Sequence, residues 1–284
     1  MRTTDNTQFE RVIIVTRASE LDELVARFNT IGQARFYLQQ AGQNFDRIET
    51  AHNNYKNALK TVKSAMPRGL KQQVLKRELI ARFTFDKTDL VVVLGPDGLV
   101  SNTAKYLDGQ PIFAVNPDPD LHDGVLLPFQ PATVDDGLHK LFAGRLKIKP
   151  VTMAQVKTSD GQKLLAFNDF FVGAASHVSA RYEISFDGRE EVQSSSGIII
   201  STGAGSTGWL KSVYRGAINT AAALGGDIRV PENDGALPWD TDHLPFIVRE
   251  PFPSQVTGTD ITIGAITRNR PLAIRSRMAT NGVI

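Results

Sequence analysis

The chain has 284 residues, 41% of them hydrophobic, a net charge of +2 with both signs interspersed, five histidines and no cysteine. That length and apolar content support two domains, or one large one, around a real core, and the near-balanced charge excludes a global field that would advertise nucleic acid or membrane. The missing cysteines exclude disulfides, thiolate metal sites and a Cys nucleophile, and His52, His122, His139, His177 and His243 lie too far apart for ligand-like spacing. The N-terminus, MRTTDNTQFE, is polar, and no apolar run reaches membrane-spanning length. The expectation is a cytoplasmic, soluble protein whose partners are small molecules.

In chain order, Arg11 to Thr16 (RVIIVT) reads as a buried strand, and Ser19 as the N-cap of a helix with Glu20, Asp22 and Glu23 in its first turn. Residues 31 to 82 read as mostly helical, broken at Gly42 and around Pro67-Gly69. The basic residues from Lys56 to Arg82 are interrupted by Glu78 and apolar positions, as on a solvated helical face. Leu90 to Leu94 is an unbroken apolar run, the pattern of a strand buried on both faces of a parallel sheet. It stops at Gly95-Pro96-Asp97-Gly98, which reads either as an ordinary turn or as a ligand-approaching loop carrying one carboxylate. A short helix over Ser101 to Leu107 and a strand over Pro111 to Asn116 complete an alternation that implies crossover helices on a parallel sheet.

After about Leu146 the character changes. Val151 to Thr158, Leu164 to Phe171, Ala180 to Phe186, Ile198 to Ser201 and Ile261 to Ile266 are short, β-branched or aromatic stretches. Asp160-Gly161, Asp187-Gly188 and Asn233-Asp234-Gly235 punctuate them, and Asp187-Gly188 is the best hairpin signal. One helix is expected from about Ser206 to Leu224, stopped by Gly225-Gly226. The fold class is therefore α/β: an N-terminal three-layer α/β domain with a parallel sheet over residues 1–145, and a mainly antiparallel β domain over 146–284.

Two further groups carry chemistry. Gly197 to Gly208 (GIIISTGAGSTG) is a strand running into a small-residue turn and a helix, where Ser206 and Thr207 meet unpaired helix N–H groups; the alternative is that Ser206 caps the helix and the glycines permit tight packing. Asn168-Asp169 sets an amide beside a carboxylate in an apolar stretch, and buried polar groups need a ligand or a turn to satisfy them. Ala204 to Gly208 also approximates a Gly-x-Ser-x-Gly elbow with Asp240, Asp242 and His243 downstream, but the acid and base stand too close together for an α/β hydrolase. No Walker A segment and no Gly-x-Gly-x-x-Gly opening the first helix exist.

Together these pieces resemble the NAD kinase family, and its mitochondrial-type branch more than the common bacterial one. Leu94 to Gly98 (LGPDG) is similar to the family's Gly-Gly-Asp-Gly signature, and Ala114 to Pro119 (AVNPDP) to the stretch after its next strand. Asn168-Asp169 matches its Asn-Glu/Asp pair; Ser195 to Thr207 resembles the branch's Ser-Ser-Gly…Ser-Thr-x-Ala-Gly-Ser-Thr; Phe246 to Pro251 resembles its Val-Arg-Glu-Pro segment. Pro96 stands in place of the second signature glycine, Leu99 in place of a Thr, and Gly208-Trp209 in place of small or Tyr residues.

The resemblance implies an active site between two domains and transfer of the ATP γ-phosphate to the adenosine-ribose 2′-hydroxyl of NAD, giving NADP. Asp97 is then the catalytic base or hydroxyl-orienting group, Gly95 and Gly98 lie near phosphates, and Mg²⁺ or another divalent cation neutralises charge. Asn116, Asn168, Asp169 and Ser196 are further binding residues, with Gly205, Ser206 and Thr207 at the adenine end. A homodimer is implied as well. A related kinase acting on a nucleoside or sugar hydroxyl, and a non-catalytic nucleotide-binding protein of the same fold, are the alternatives. Asn281-Gly282 reads as a turn entering a further strand, so the chain is expected to be truncated at its C-terminus.

Overall fold

A computed structural model describes residues 9–121, 124–226 and 232–280; most of the polar N-terminus, His122 and the Asn281-Gly282 turn lie outside them. The chain forms two compact units, Met1–Ile148 and Lys149–Ile284.

In the first unit, β1 (Arg11–Thr16), β2 (Lys71–Lys76), β3 (Asp89–Leu94) and β4 (Ile112–Val115) form one parallel sheet in the order β2-β1-β3-β4. The uninterrupted apolar runs of β1 and β3 are explained by helices on both faces. Val12, Ile14, Leu90, Val92 and Leu94 pack with residues of α3 (Phe45–Ser64) and α5 (Val134–Phe142). On the other face, Ile13, Val15, Val91 and Val93 pack with the 3₁₀ turn Arg77–Arg82 and with α4 (Asp97–Ala104). A smaller cluster of Leu21, Leu38 and Phe45 joins α1 (Glu20–Phe28), α2 (Ile31–Gln40) and α3. At the N-terminal edge of the sheet, Arg11 grips the buried Asp89 carboxylate with two hydrogen bonds of 2.8 and 2.7 Å, which pins β1 against β3.

Two expectations are corrected here. Ser19 caps α1 with a full capping box, as expected, but residues 71–76 are a strand and not part of a helix. Lys71–Lys76 (KQQVLK) is an edge strand that buries only Leu75, so it carries no apolar periodicity; pairing with β1 decides its conformation. The Lys56–Arg82 basic region is accordingly a helix end, an edge strand and a 3₁₀ turn. The helix expected over Ser101–Leu107 begins four residues earlier, at Asp97, because Pro96 occupies the N-cap position with φ −73°.

In the second unit, β7 (Asp169–Val172), β10 (Ile198–Ser201), β11 (Leu244–Val248) and β12 (Ile263–Ile266) make an antiparallel sheet in the order β12-β11-β10-β7. A second sheet, β13-β8-β9, holds β8 (Ala180–Phe186), β9 (Arg189–Ser195) and β13 (Ala273–Ser276), and the hairpin β5 (Ala154–Lys157) and β6 (Lys163–Ala166) stands apart. The two larger sheets share one core of Tyr182, Ile184, Ile198, Ile200, Phe246 and Val248. Asp187 and Gly188, at φ 56° and 75°, turn the β8–β9 hairpin as the Asp-Gly signal predicts. Inside this core the Tyr182 hydroxyl meets Ser195 Oγ at 2.7 Å and donates to Gln193 Oε1 at 3.0 Å, and burial pushes its pKa up to about 12. The stretch Leu164–Phe171 is two strands in different sheets, broken at Phe167-Asn168. The helix of this unit, α6 (Trp209–Ala223), starts three residues later than expected, because Gly205–Thr207 form a 3₁₀ turn first. Asn233 to Gly235 belong to another 3₁₀ turn.

Candidate functional site

In the first unit the connections from β1 and β3 leave in opposite directions, one towards β2 and the other towards β4. That arrangement opens a crevice at the carboxyl ends of the two strands. Gly95, Pro96 and Asp97 sit there, immediately after β3. The Gly95 N–H donates to Val115 O at 3.3 Å, and a Cβ on Gly95 would come within 2.8 Å of Leu99 Cδ2. Gly95 therefore serves close packing of α4 onto the sheet. Leu99, 3% exposed, belongs to the core on that face. Asp97 is the first residue of α4, and its Oδ1 accepts the Leu126 N–H at 2.6 Å, which orients the carboxylate. Gly98 is exposed, with nothing within 4 Å of the place a Cβ would occupy. The loop after β4 is organised by Asn116: its N–H donates to Phe129 O at 2.7 Å and its Oδ1 accepts the Asp118 N–H at 3.1 Å.

A cavity of about 160 Å³ lies at this same edge, between the loops after β1, β3 and β4 and helix α3. Ile48, Ala51, Tyr55, Pro96, Pro117 and Leu121 supply its apolar lining; Ser19, His52 and Asp118 are among its polar groups. The Tyr55 hydroxyl accepts the Arg17 N–H at 3.0 Å and donates to Leu94 O at 3.1 Å, so it ties the β1 and β3 tips together. Burial raises its pKa. Sequence reasoning placed Ser19 as a cap but missed His52 and Tyr55. Only the switch-point rule, applied to the loop after β1, points to them.

In the second unit, Asn168 and Asp169 occupy the break into β7 and the strand's first residue. The Asn168 carbonyl accepts the Thr202 N–H at 2.9 Å, and Thr202 Oγ1 donates to Phe167 O at 2.6 Å while accepting the Gly205 N–H at 3.0 Å. A Cβ on Gly205 would collide with the Asn168 backbone, and one on Gly203 with the Pro238 carbonyl. Ser206, 1% exposed, donates to Gly203 O at 2.7 Å and accepts the Leu237 N–H at 2.9 Å. Its hydroxyl neither caps α6, whose cap position is Gly208, nor meets an imidazole; His243 lies beside Thr241 and Asp242 instead. Among the described residues no histidine meets Ser206, so the hydrolase alternative at this turn lacks its base.

Thr207 is exposed at the same turn, and Asn168 is exposed beside it in the chain fold. Asp169 shares a sheet face with Phe171 and pairs with Ser201. Its Oδ1 is buried with no hydrogen-bond partner, and burial raises its pKa, partly offset by the Ser201 hydroxyl. Ser196 is exposed at the opposite end of β10, beside Arg249, whose carbonyl accepts its N–H at 3.0 Å. Since Val172 pairs with Ile198 and Asp169 with Ser201, at least roughly 10 Å of strand separates Ser196 from the Asn168-Asp169 end. Trp209 stacks on Phe171 with centroids 5.4 Å apart, and the Arg249 guanidinium lies 5.8 Å from the Trp209 ring.

No family model matches the chain. It is 26% identical over 256 residues to human NAD kinase 2, mitochondrial, an alignment that takes in 72% of this chain and 58% of that protein; the chain thus spans under two thirds of the relative it matches. Among solved structures it is similar to yeast NADH kinase complexed with NADH, with 13% identity and a TM-score of 0.50 over 94% of this chain and 72% of that one. An NAD kinase from Archaeoglobus fulgidus in complex with ATP is also similar, at 18% identity and a TM-score of 0.47 over 93% and 80%. In sequence the chain is similar to human NAD kinase 2, and in fold to yeast NADH kinase.

Proposed function

We propose that the protein is a phosphotransferase that moves the γ-phosphate of ATP to the 2′-hydroxyl of the adenosine ribose of NAD. The observation that carries this reading is the unpartnered, buried Oδ1 of Asp169 beside the exposed Asn168. A buried carboxylate oxygen without a donor is costly, and a sugar hydroxyl is the donor it lacks. Asn168, Gly205 and Thr207 then flank the acceptor nucleotide. Ser206 supports it through Gly203 and Leu237, and Ser196, at the far end of β10, serves a different part of the ligand or the loop to Arg249.

Asp97 is the group that orients the acceptor hydroxyl and takes its proton, with its carboxylate held ready by the Leu126 amide. Gly95, Gly98 and Asn116 shape the loops that face the phosphates. Phosphoryl transfer asks for positioning and charge stabilisation, and two such loops supply the first. The reading takes Mg²⁺ or another divalent cation to arrive on the nucleotide's phosphates; among the described residues no three His, Cys, Asp or Glu side chains gather as a ligand set. Among the described residues no helix is long and apolar enough to cross a membrane. The reading includes a homodimer, which light scattering in solution tests, and a cytoplasmic location, which fractionation of cells tests.

Incubation with ATP, Mg²⁺ and NAD yields NADP if the reading holds. A thermal-shift panel of NAD, free nucleosides and sugars separates it from a kinase with a simpler acceptor, because only a ligand of the native state raises the melting temperature. Nucleotide binding without transfer under any donor and metal would mark the protein as non-catalytic.

A further inference from the structure

We infer that the cavity between the tips of β1 and β3 holds an uncharged heteroaromatic ring, the base of the phosphate donor, and not the donor's phosphates. This deepens the phosphotransferase reading and rests on it for the word donor. The cavity's position at the switch point, where open α/β sheets bind ligands, makes it a site; its chemistry says what kind.

A polyanion is disfavoured there. Helix α1 turns its N-terminus to the cavity, yet its first turn carries Glu20, Asp22 and Glu23, and Glu20 and Asp118 both line the space. Arg17 lines it too, but its guanidinium lies 3.8 Å from the Glu23 carboxylate, so the carboxylates around the space outnumber it. One of the N–H groups at the helix start is already used, since Ser19 Oγ takes the Asp22 N–H at 3.2 Å. The Asp22 carboxylate returns to the Ser19 N–H at 3.0 Å. The acidic first turn thus opposes the attraction that such a terminus offers to phosphate.

A flat neutral ring suits the same walls. Ile48, Ala51, Pro96, Pro117 and Leu121 are apolar, and both hydrogen bonds of the Tyr55 hydroxyl are spent inside the protein, so Tyr55 presents its ring. Base–aromatic contact of this kind contributes without a charge. At about 160 Å³ the cavity falls below the roughly 300 Å³ at which sites begin to enclose whole drug-sized ligands, so it fits a base and leaves ribose and phosphates outside. His52 supplies polar recognition at the rim. Its Nδ1 is held 2.6 Å from Ser19 Oγ, and in either tautomer its Nε2 remains for the ring edge of a base.

The full chain is photolabelled with 8-azido-ATP, and the labelled peptides are mapped; binding of adenylyl imidodiphosphate and of tripolyphosphate is measured by calorimetry. Expected is labelling within residues 48–55 or 96–121, quenched by ATP and not by tripolyphosphate. Ala51→Phe, which fills the slot, should weaken adenylyl imidodiphosphate roughly tenfold or more while leaving tripolyphosphate unchanged. His52→Leu, a milder change, should weaken the nucleotide several-fold and serves if Ala51→Phe loses its circular-dichroism signature. Label confined to residues 149–280, tripolyphosphate quenching the label, or unchanged nucleotide affinity in a folded variant overturns the inference. NADP formation with the last result sinks the base slot alone; the expected labelling without any NADP sinks the phosphotransferase reading alone.

Discussion

Two strand-to-helix turns, Leu94–Gly98 after β3 and Ser201–Gly208 after β10, look alike as sequence and behave oppositely in the fold. Each follows a buried apolar strand, each is rich in glycine, and each carries polar side chains with chemical promise, Asp97 in the first and Ser206 and Thr207 in the second. In the first, Gly98 faces open space and the Asp97 carboxylate is anchored by a single amide. In the second, Gly203 and Gly205 lie against the backbone of Pro238 and Asn168, and both hydrogen-bonding functions of Ser206 are consumed inside the protein. The first turn is open at Gly98; the second is packed and hydrogen-bonded against Asn168, Leu237 and Pro238. Among the described residues of the second unit, the buried side-chain atom left without a partner is Asp169 Oδ1, in the polar pair that the sequence had already singled out.

Four substitutions press on that contrast. Asp97→Asn should lower NADP formation by about 10²–10⁴-fold, the usual size of a lost general base, with the melting temperature nearly unchanged because an amide oxygen still accepts from Leu126. Unaltered turnover in a steady-state assay would remove Asp97 from the chemistry. Gly205→Ala should cost about 3 kcal/mol or more in denaturant unfolding, since its methyl meets backbone that cannot move aside. Should that variant unfold like the parent, the second turn is not a rigid packed scaffold.

Gly98→Ala tests the open turn in the other direction. In the second position of α4, with space around it, alanine should raise stability by about 0.5 kcal/mol while slowing transfer, if the phosphates approach that backbone. Asp169→Asn gives the subtlest effect, and its sign follows from linkage. Burial raises the folded pKa of Asp169 above its unfolded value, so the folded state prefers the protonated form. Its contribution to stability is then fully present at pH below the unfolded carboxylate value of 3.8 and is lost as pH rises through the raised folded value. Asparagine removes that loss. The variant should melt higher than the parent at neutral pH, the gain should vanish in acid, and NAD should no longer shift its melting point. Equal melting curves at pH 7 would mean that Asp169 is not strained in the free protein.

Much of the architecture is legible from residue patterns. β1 and β3 are continuous apolar runs because both faces of the parallel sheet are covered, and Asp187-Gly188 turns its hairpin by local backbone preference alone. Ser19 announces a helix start through its own side-chain bonds. What misreads is what depends on distant partners. Lys71–Lys76 has no strand signal of its own and becomes one by pairing with Arg11–Thr16, fifty-five or more residues earlier in the chain. Phe167-Asn168 looks continuous with an apolar strand and is a break between two sheets.

The candidate residues divide along the same line. The sequence by itself determined that an acidic residue follows a buried parallel strand, that a short helix comes after it, and that a β-rich half carries Asn168-Asp169 and a small-residue turn, because residue type and short-range spacing carry that information. Only the tertiary structure decided that Ser206 is spent, that Ser196 stands a strand away from Asp169, and that Tyr55 and His52 close a cavity over the tips of β1 and β3. Hydrogen-bond satisfaction and cavity shape are properties of atoms brought together from far along the chain, and no local window of sequence contains them.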